Sequence, residues 1–303
     1  MELSLVIFRQ IVIMFVYMAV GWFLRHKELI THEGSSSLSN LLLYVISPCV
    51  VVNSFTVEAT PERDIAFMFS ILAAVVVLIL SIVLAHIVYR KDPVSDFGCA
   101  FSNAGFMGAP LVQSAFGIEG LMYGTGDMAL MGVLQWTYGQ NLLSNDKTRM
   151  SFKKIFLNHM VIAFLIGLLI YYCRIPVPGI AKECISSFSA LNAPIAMGIL
   201  GTYLGEIPFK SIFNERRIWL ASFYRLIAIP LVTLAVLRIV FASHLDVARV
   251  LVVLASAPVG AGTAIYARRL DRDYQHAVKL VCFSTLCSVI TMPLIIYLWE
   301  MIA

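Results

Sequence analysis

The chain has 303 residues, of which 60% are hydrophobic and only 13% charged, with a mean hydropathy of +0.86. That balance excludes an ordinary soluble domain and describes a polytopic membrane protein. The net charge of +4 comes from basic residues scattered through short loops rather than gathered in a patch, which argues against nucleic-acid binding.

Crossing about 30 Å of hydrocarbon takes about 20 apolar residues of helix. Ten such spans are predicted in chain order, at 3–24, 36–55, 65–89, 94–116, 119–143, 155–173, 184–204, 217–241, 247–267 and 275–301. The first has no basic n-region or small-residue cleavage site, so it is expected to stay as a span. The linkers SNDKTRMSFKK and GEIPFKSIFNERR are too short to fold alone, so residues 1–303 form one membrane domain. The first of these linkers divides the spans into five and five, in residues 1–143 and 155–303. One alternate set of loops carries fourteen Lys and Arg, the other only Arg63, Arg174, Lys182 and Arg249. By the positive-inside rule the richer set is cytoplasmic, which places both termini outside.

Five is an odd number, so if the two halves are related the repeat is inverted, as in many secondary transporters. Two proline pairs fit that relation: Pro48 and Pro194 lie 146 residues apart, Pro110 and Pro258 lie 148 apart. The fourth and ninth spans carry SNAGFMGAP and SAPVGAGTA in the middle of their apolar runs. Proline removes a backbone donor and glycine lets the chain leave helical geometry. In lipid such a break persists only where protein or a water-filled cavity covers the freed groups. Two broken helices meeting there are expected to aim half-helix N-termini, with their partial positive charge, into a shared cavity that suits an anion. A single such motif in a membrane helix is more simply a packing kink, and the recurrence at matching positions is what favours the break. The GxxxG runs Gly120–Gly124 and Gly201–Gly205 are read as helix contacts.

The six cysteines show no metal-ligand spacing and read as small hydrophobes. The histidines make no HExxH pair, and neither a P-loop nor GxSxG occurs, so neither metal nor cofactor is expected and the chain is not read as an enzyme. GTGD at 124–127 spells the GxGD of intramembrane aspartyl proteases, but that chemistry needs a second buried aspartate, and the other aspartates are placed in loops or at span ends. A ligand sensor is disfavoured by the lack of a signalling module.

N-A-G-F-M-G-A-P in the fourth span, S-A-P-V-G-A-G-T in the ninth, R-L-I-A-I-P at 225–230 and V-L-Q-W-T-Y at 133–138 resemble the auxin efflux carrier family of membrane transport proteins. The resemblance covers essentially the whole chain. It implies an all-α fold of ten transmembrane helices, built as two inverted five-helix repeats, with the broken fourth and ninth spans crossing. It also implies a scaffold of the first, second, sixth and seventh spans beside a transport subdomain carrying the crossing. A homodimer through the scaffold would suit the family. Plant members have a long central loop; here it is only SNDKTRMSFKK, which favours a compact permease and weakens any transfer of auxin specificity.

Asn103 matches the asparagine before the family's fourth-span crossing, where its amide either donates to a substrate carboxylate or satisfies freed carbonyls. The substrate-binding candidates are Asn103, Gly105, Gly108 and Pro110, with Ser256, Pro258, Gly260 and Thr263 from the ninth span. The hydroxyls among them, like that of Ser102, are weaker candidates, since hydroxyls in membrane helices tend to bond their own helix. Asp127 falls well inside the fifth span, where a carboxylate is expensive and marks either a proton-coupling site or a structural partner of Arg225, Arg9 or a helix end. Arg225, inside the eighth span, is expected to attract an anion, to pair with Asp127 or to serve the structure. Gln135 and Asn192 are cavity-lining candidates, and Lys279 and Arg238 are placed to snorkel. The expected function is secondary transport of a small organic anion, a carboxylate, across the cell membrane by alternating access, with the lipid bilayer as surroundings; the alternative is a cation/proton antiporter.

Overall fold

The computed structural model describes residues 2–144 and 158–302. Within them the chain forms α1 (Glu2–His26), α2 (His32–Ser54), α3 (Pro61–Tyr89), α4 (Pro93–Ala100), α5 (104–143), α6 (His159–Tyr172), α7 (Gly179–Gly205), α8 (Arg216–Val240), α9 (Leu245–Ser256), α10 (Gly262–Arg269) and α11 (Tyr274–Ile302). No strand occurs among the described residues apart from one isolated bridge. Six helices are each long and apolar enough to cross a bilayer: α1, α2, α3, α7, α8 and α11. The stretches expected at 94–116 and 247–267 fall on interrupted helices, α4 with the start of α5 and α9 with α10. The stretch at 119–143 is the remainder of α5, and α6 carries the described part of 155–173. The central linker beyond Ser144, with Lys147, Arg149, Lys153 and Lys154, lies outside the described residues.

Local chemistry sets the helix ends. The side chains of Thr31, Thr60, Asp92 and Asn158 each accept a backbone N–H in the first turn of α2, α3, α4 and α6. Pro61 and Pro93 follow two of these caps, where their missing donor is harmless. Three of the prolines inside helices, Pro48, Pro110 and Pro230, are accommodated by a widened turn. Ser47 N reaches back to Leu42 O, Ala109 N to Ala104 O and Ile229 N to Tyr224 O, each a five-residue step just before Pro48, Pro110 and Pro230. Widening the turn moves aside the carbonyl that the pyrrolidine ring would strike. Gly117, at φ 68° and ψ −164°, kinks α5 between the stretches expected as the fourth and fifth spans; that combination of angles suits only glycine.

The lipid environment is visible in α3. Small residues face inward (Ser70, Ala73, Ala74, Ser81, Ala85), while Ile65, Met68, Leu72, Ile79, Val83 and Ile87 are exposed along one face. Small side chains let membrane helices approach closely, and large ones lose nothing against hydrocarbon. The helices pack as two groups that also touch each other, α1 lying on α11 and α6 on α5. In one, α1 lies along α7, and α2 packs on α6 and α7; in the other, α3, α4, α5, α8, α9, α10 and α11 surround one another.

The α1–α7 seam is the closest approach. A Cβ added at Gly201 would lie 2.7 Å from Trp22 N, one at Gly21 would lie 2.7 Å from the Gly198 carbonyl carbon, and one at Gly205 would lie 2.8 Å from Arg25 Cγ. The Gly201–Gly205 run is therefore a helix contact; in the other run, Gly124 gives room to Leu254 and Gly120 to Phe116 of its own helix. Gly201→Leu is expected to push backbone from backbone and lower stability by about 3 kcal/mol or more. The check is monodispersity and melting temperature in detergent, with Gly179→Leu, where nothing lies within 4 Å of the added Cβ, as the tolerated control.

Candidate functional site

α4 ends at Ala100 and α9 at Ser256, and the links that follow them lie side by side. Ser102 and Val259 form an antiparallel bridge, with Asn103 N donating to Pro258 O at 2.8 Å and Gly260 N to Phe101 O at 3.1 Å. Val259 N donates to Ser284 Oγ at 3.2 Å, and Asn192 Nδ2 to Gly105 O at 2.9 Å. Backbone groups that leave a helix in hydrocarbon must find partners, and these two breaks find them largely in each other. A Cβ at Gly260 would lie 2.9 Å from Ser102 O, so only glycine permits the approach. Pro258 sits inside the bridge and contributes only its carbonyl, whereas Pro110 stands in α5, just after the widened turn that opens the helix beyond the other break. The two prolines paired by spacing thus serve different local purposes.

Arg225 lies in the widened turn of α8 and is 1% exposed. Its guanidinium donates to Cys99 O (3.1 Å) at the end of α4, and to Ala255 O (2.6 Å) and Ala257 O (3.2 Å) at the end of α9. The last carbonyls of a helix have no intrahelical donor and carry its partial negative charge, so one planar cation serves two converging ends. Of the roles weighed from sequence, this is the structural one: Arg225 makes no ion pair with Asp127 and does not line the cavity described below. Asp127 is 1% exposed, and its Oδ1 has no hydrogen-bond partner.

Beside the bridged links is a cavity of about 320 Å³, within the size range of small-molecule sites. Its floor is made by Ser102, Asn103, Gly105, Gly260, Ala261 and Gly262, where α5 and α10 begin. Tyr44, Phe106, Trp136 and Tyr266 make aromatic walls. Asn40, Gln135, Asn158 and His159 add polar groups, and Arg269 stands above them. Asn103 Nδ2 is buried without a partner, an amide donor held at the floor.

Of the residues singled out from sequence, Ser102, Asn103, Gly105, Gly260 and Gln135 line this cavity; Gly108, Pro110, Ser256, Pro258, Thr263, Asp127, Arg225 and Asn192 do not. Ser256 Oγ donates back to Val253 O of its own helix, and Gly108 packs against Leu254. Asn192 reaches the site indirectly, by holding the Gly105 carbonyl. Asp96, placed at a span end from sequence, is fully buried and bonded to His86 Nδ1 at 2.8 Å. It is therefore a second buried aspartate where a span end was expected, and its carboxylate is held by His86. Sequence reasoning misses Tyr44, Asn158, Trp136, Tyr266 and Arg269. They come from four separate helices or helix ends, and only Trp136 falls within a family motif, V-L-Q-W-T-Y, which by itself does not say that the ring faces a cavity.

A family model described as "Membrane transport protein" matches residues 6–296. The chain is also 24% identical over 294 residues to a protein of Methanothermobacter thermautotrophicus described as an uncharacterized transporter, a match that covers 92% of this chain and 94% of that one.

Removing the Arg225 cation while keeping its bulk tests the carbonyl clamp. Charge-assisted bonds contribute roughly 1.5–3 kcal/mol each, so Arg225→Met is expected to destabilise the fold by about 3–5 kcal/mol. Thermal unfolding in detergent checks it, with Arg225→Lys intermediate because an ammonium cannot span three carbonyls in a plane. An unchanged melting temperature in Arg225→Met would show that the clamp does not hold the fold.

Proposed function

The chain belongs to the membrane transport protein family, the auxin efflux carriers whose motifs it shares, and from that premise we propose that it is a secondary transporter of a small organic anion, a carboxylate. The observation that carries this reading is the composition of the cavity floor. Two helices begin there, a buried amide donor without a partner stands beside them, and no acidic side chain lines the cavity among the described residues. Helix N-termini carry partial positive charge, so a carboxylate gains there what an ammonium would lose.

In this reading the interrupted helices complete ten spans in two inverted repeats, and the bridge at Ser102 and Val259 is the point where the fourth and ninth spans cross. The group containing α1, α2, α6 and α7 is the scaffold, and the other group moves against it so that the crossing faces each side of the cell membrane in turn. Both termini are extracytoplasmic by the loop charges. The cavity then faces the cytoplasm, because Asn158, His159 and Arg269 sit at the helix ends that carry the basic loops. Closure of the other side is supported by Phe55, whose ring packs across the groups on Phe67 of α3 and within its own group on Phe164 and Tyr171 of α6. Asp127 is the coupling group: a buried carboxylate with an oxygen lacking a partner exchanges a proton or cation more readily than one fixed in an ion pair.

The direct test is uptake into proteoliposomes from a panel of malonate, malate, lactate, indole-3-acetate and alkali cations, with and without a pH gradient. Carboxylate uptake absent from protein-free vesicles is expected; silence to every anion together with cation-driven proton movement would establish the antiporter instead. Asn103→Ala is expected to reduce uptake about tenfold or more, the loss of one charge-assisted bond, with folding intact. Wild-type flux in that variant would take Asn103 out of the site. Asp127→Asn is expected to abolish the dependence of uptake on the pH gradient, and a retained dependence would leave Asp127 a structural residue.

A further inference from the structure

α10 is short, running from the floor of the cavity at Gly262 to Arg269, and is followed closely by Arg272. Two of its three nearby arginines are engaged elsewhere. Arg268 lies over the ring of Tyr274 at 5.3 Å with Nη1 3.3 Å from His32 Nδ1, and Arg272 Nε donates to Leu143 O. Arg269 instead lines the cavity, its Cζ 5.3 Å from the centre of the Trp136 ring. Trp136 is itself braced edge-on by Tyr266, ring centres 5.9 Å apart and planes at 84°. No ion pair engages Arg269 among the described residues, and it is the only Lys, Arg, Asp or Glu among the described residues lining the cavity.

We propose that Arg269, held over Trp136, is the residue that selects anions at the mouth of the cavity. This rests on the reading of the cavity as the path of a carboxylate. A cation stacked on an indole face keeps its full charge and loses much of its conformational freedom, so its field is aimed rather than averaged over rotamers. Low-dielectric walls of Tyr44, Trp136 and Tyr266 concentrate that field. α10 rises about 10 Å from Gly262 to Arg269, so the arginine backbone stands at the far end of the helix from the floor. Arg269 captures the anion, and the floor with Asn103 holds it. The neutral floor alone discriminates weakly against neutral isosteres, and the charge at the mouth supplies that discrimination.

The field can be measured without knowing the substrate. A thiol introduced by Gly132→Cys serves as probe: the position lines the cavity one helical turn before Trp136, and an added Cβ there meets nothing closer than 3.7 Å. In the Gly132→Cys chain, modification by anionic sulfonatoethyl and cationic trimethylammonioethyl methanethiosulfonate is followed by peptide-resolved mass spectrometry, which separates the introduced thiol from the native cysteines. Relative to free cysteine, the anionic reagent is expected to be favoured at the introduced thiol. Arg269→Gln should lower the anion-to-cation rate ratio at least about threefold, Arg269→Lys should keep it within about twofold, and Arg269→Glu should invert it. Arg269 is an exposed residue at a helix end, so these variants are expected to fold. A ratio unmoved by Arg269→Gln and Arg269→Glu would overturn the proposal. The carrier reading fails separately: a chain that takes up no carboxylate yet keeps an Arg269-dependent ratio loses its proposed substrate and not its charged mouth. A carboxylate carried with unchanged KM in Arg269→Gln overturns the assignment while leaving the carrier intact.

Discussion

The three hydrogen bonds from Arg225 to Cys99, Ala255 and Ala257 are the interaction on which the interior depends. Ending two helices inside the apolar layer leaves two sets of carbonyls without donors and brings two partial negative charges together. Each helix end carries roughly half a negative charge, so two ends roughly neutralise one guanidinium. The cation is thereby compensated by backbone rather than by a carboxylate. That is why Asp127, buried in the same interior, is left with an oxygen that no donor satisfies.

The same breaks supply opposite polarity on their other side. Where α4 and α9 end, a fixed cation is required; where α5 and α10 begin, first-turn amides lie at the floor of the cavity. The bridge between Ser102 and Val259 separates the two, and Gly260 allows the links to touch. Asn192 holds the Gly105 carbonyl from a different helix group, so the floor is braced from both groups. A site of this kind is built chiefly from backbone polarity, and few of its determinants are charged side chains.

Packing divides the work. Along α1 and α7, glycines bring backbones together and leave nothing to slide, whereas contacts between the groups include aromatic rings such as Phe55 with Phe67 and hydrogen bonds at helix ends such as Tyr274 with Glu206. Backbone contact along the first seam leaves less room for repacking than the rings and polar pairs between the groups do.

The sequence by itself determined what depends on neighbours along the chain. Apolar run length against hydrocarbon thickness placed the helices, as at 65–89 and α3 or 275–301 and α11. Proline and glycine at 102–110 and 256–264 marked both breaks because missing donors and free φ act locally. The motifs likewise carried the family, since they are short and contiguous. Only the tertiary structure decided which of those residues face the cavity, and that Pro258 lies within the bridge while Pro110 lies beyond its break. It also decided that Arg225 reaches Cys99 across 126 positions, that Asp96 is buried against His86, and that Arg269 rather than Arg268 looks inward over Trp136. Those outcomes turn on which side chain meets which carbonyl or ring once distant helices pack, and a helix's own period leaves several faces equally open until its neighbours choose one.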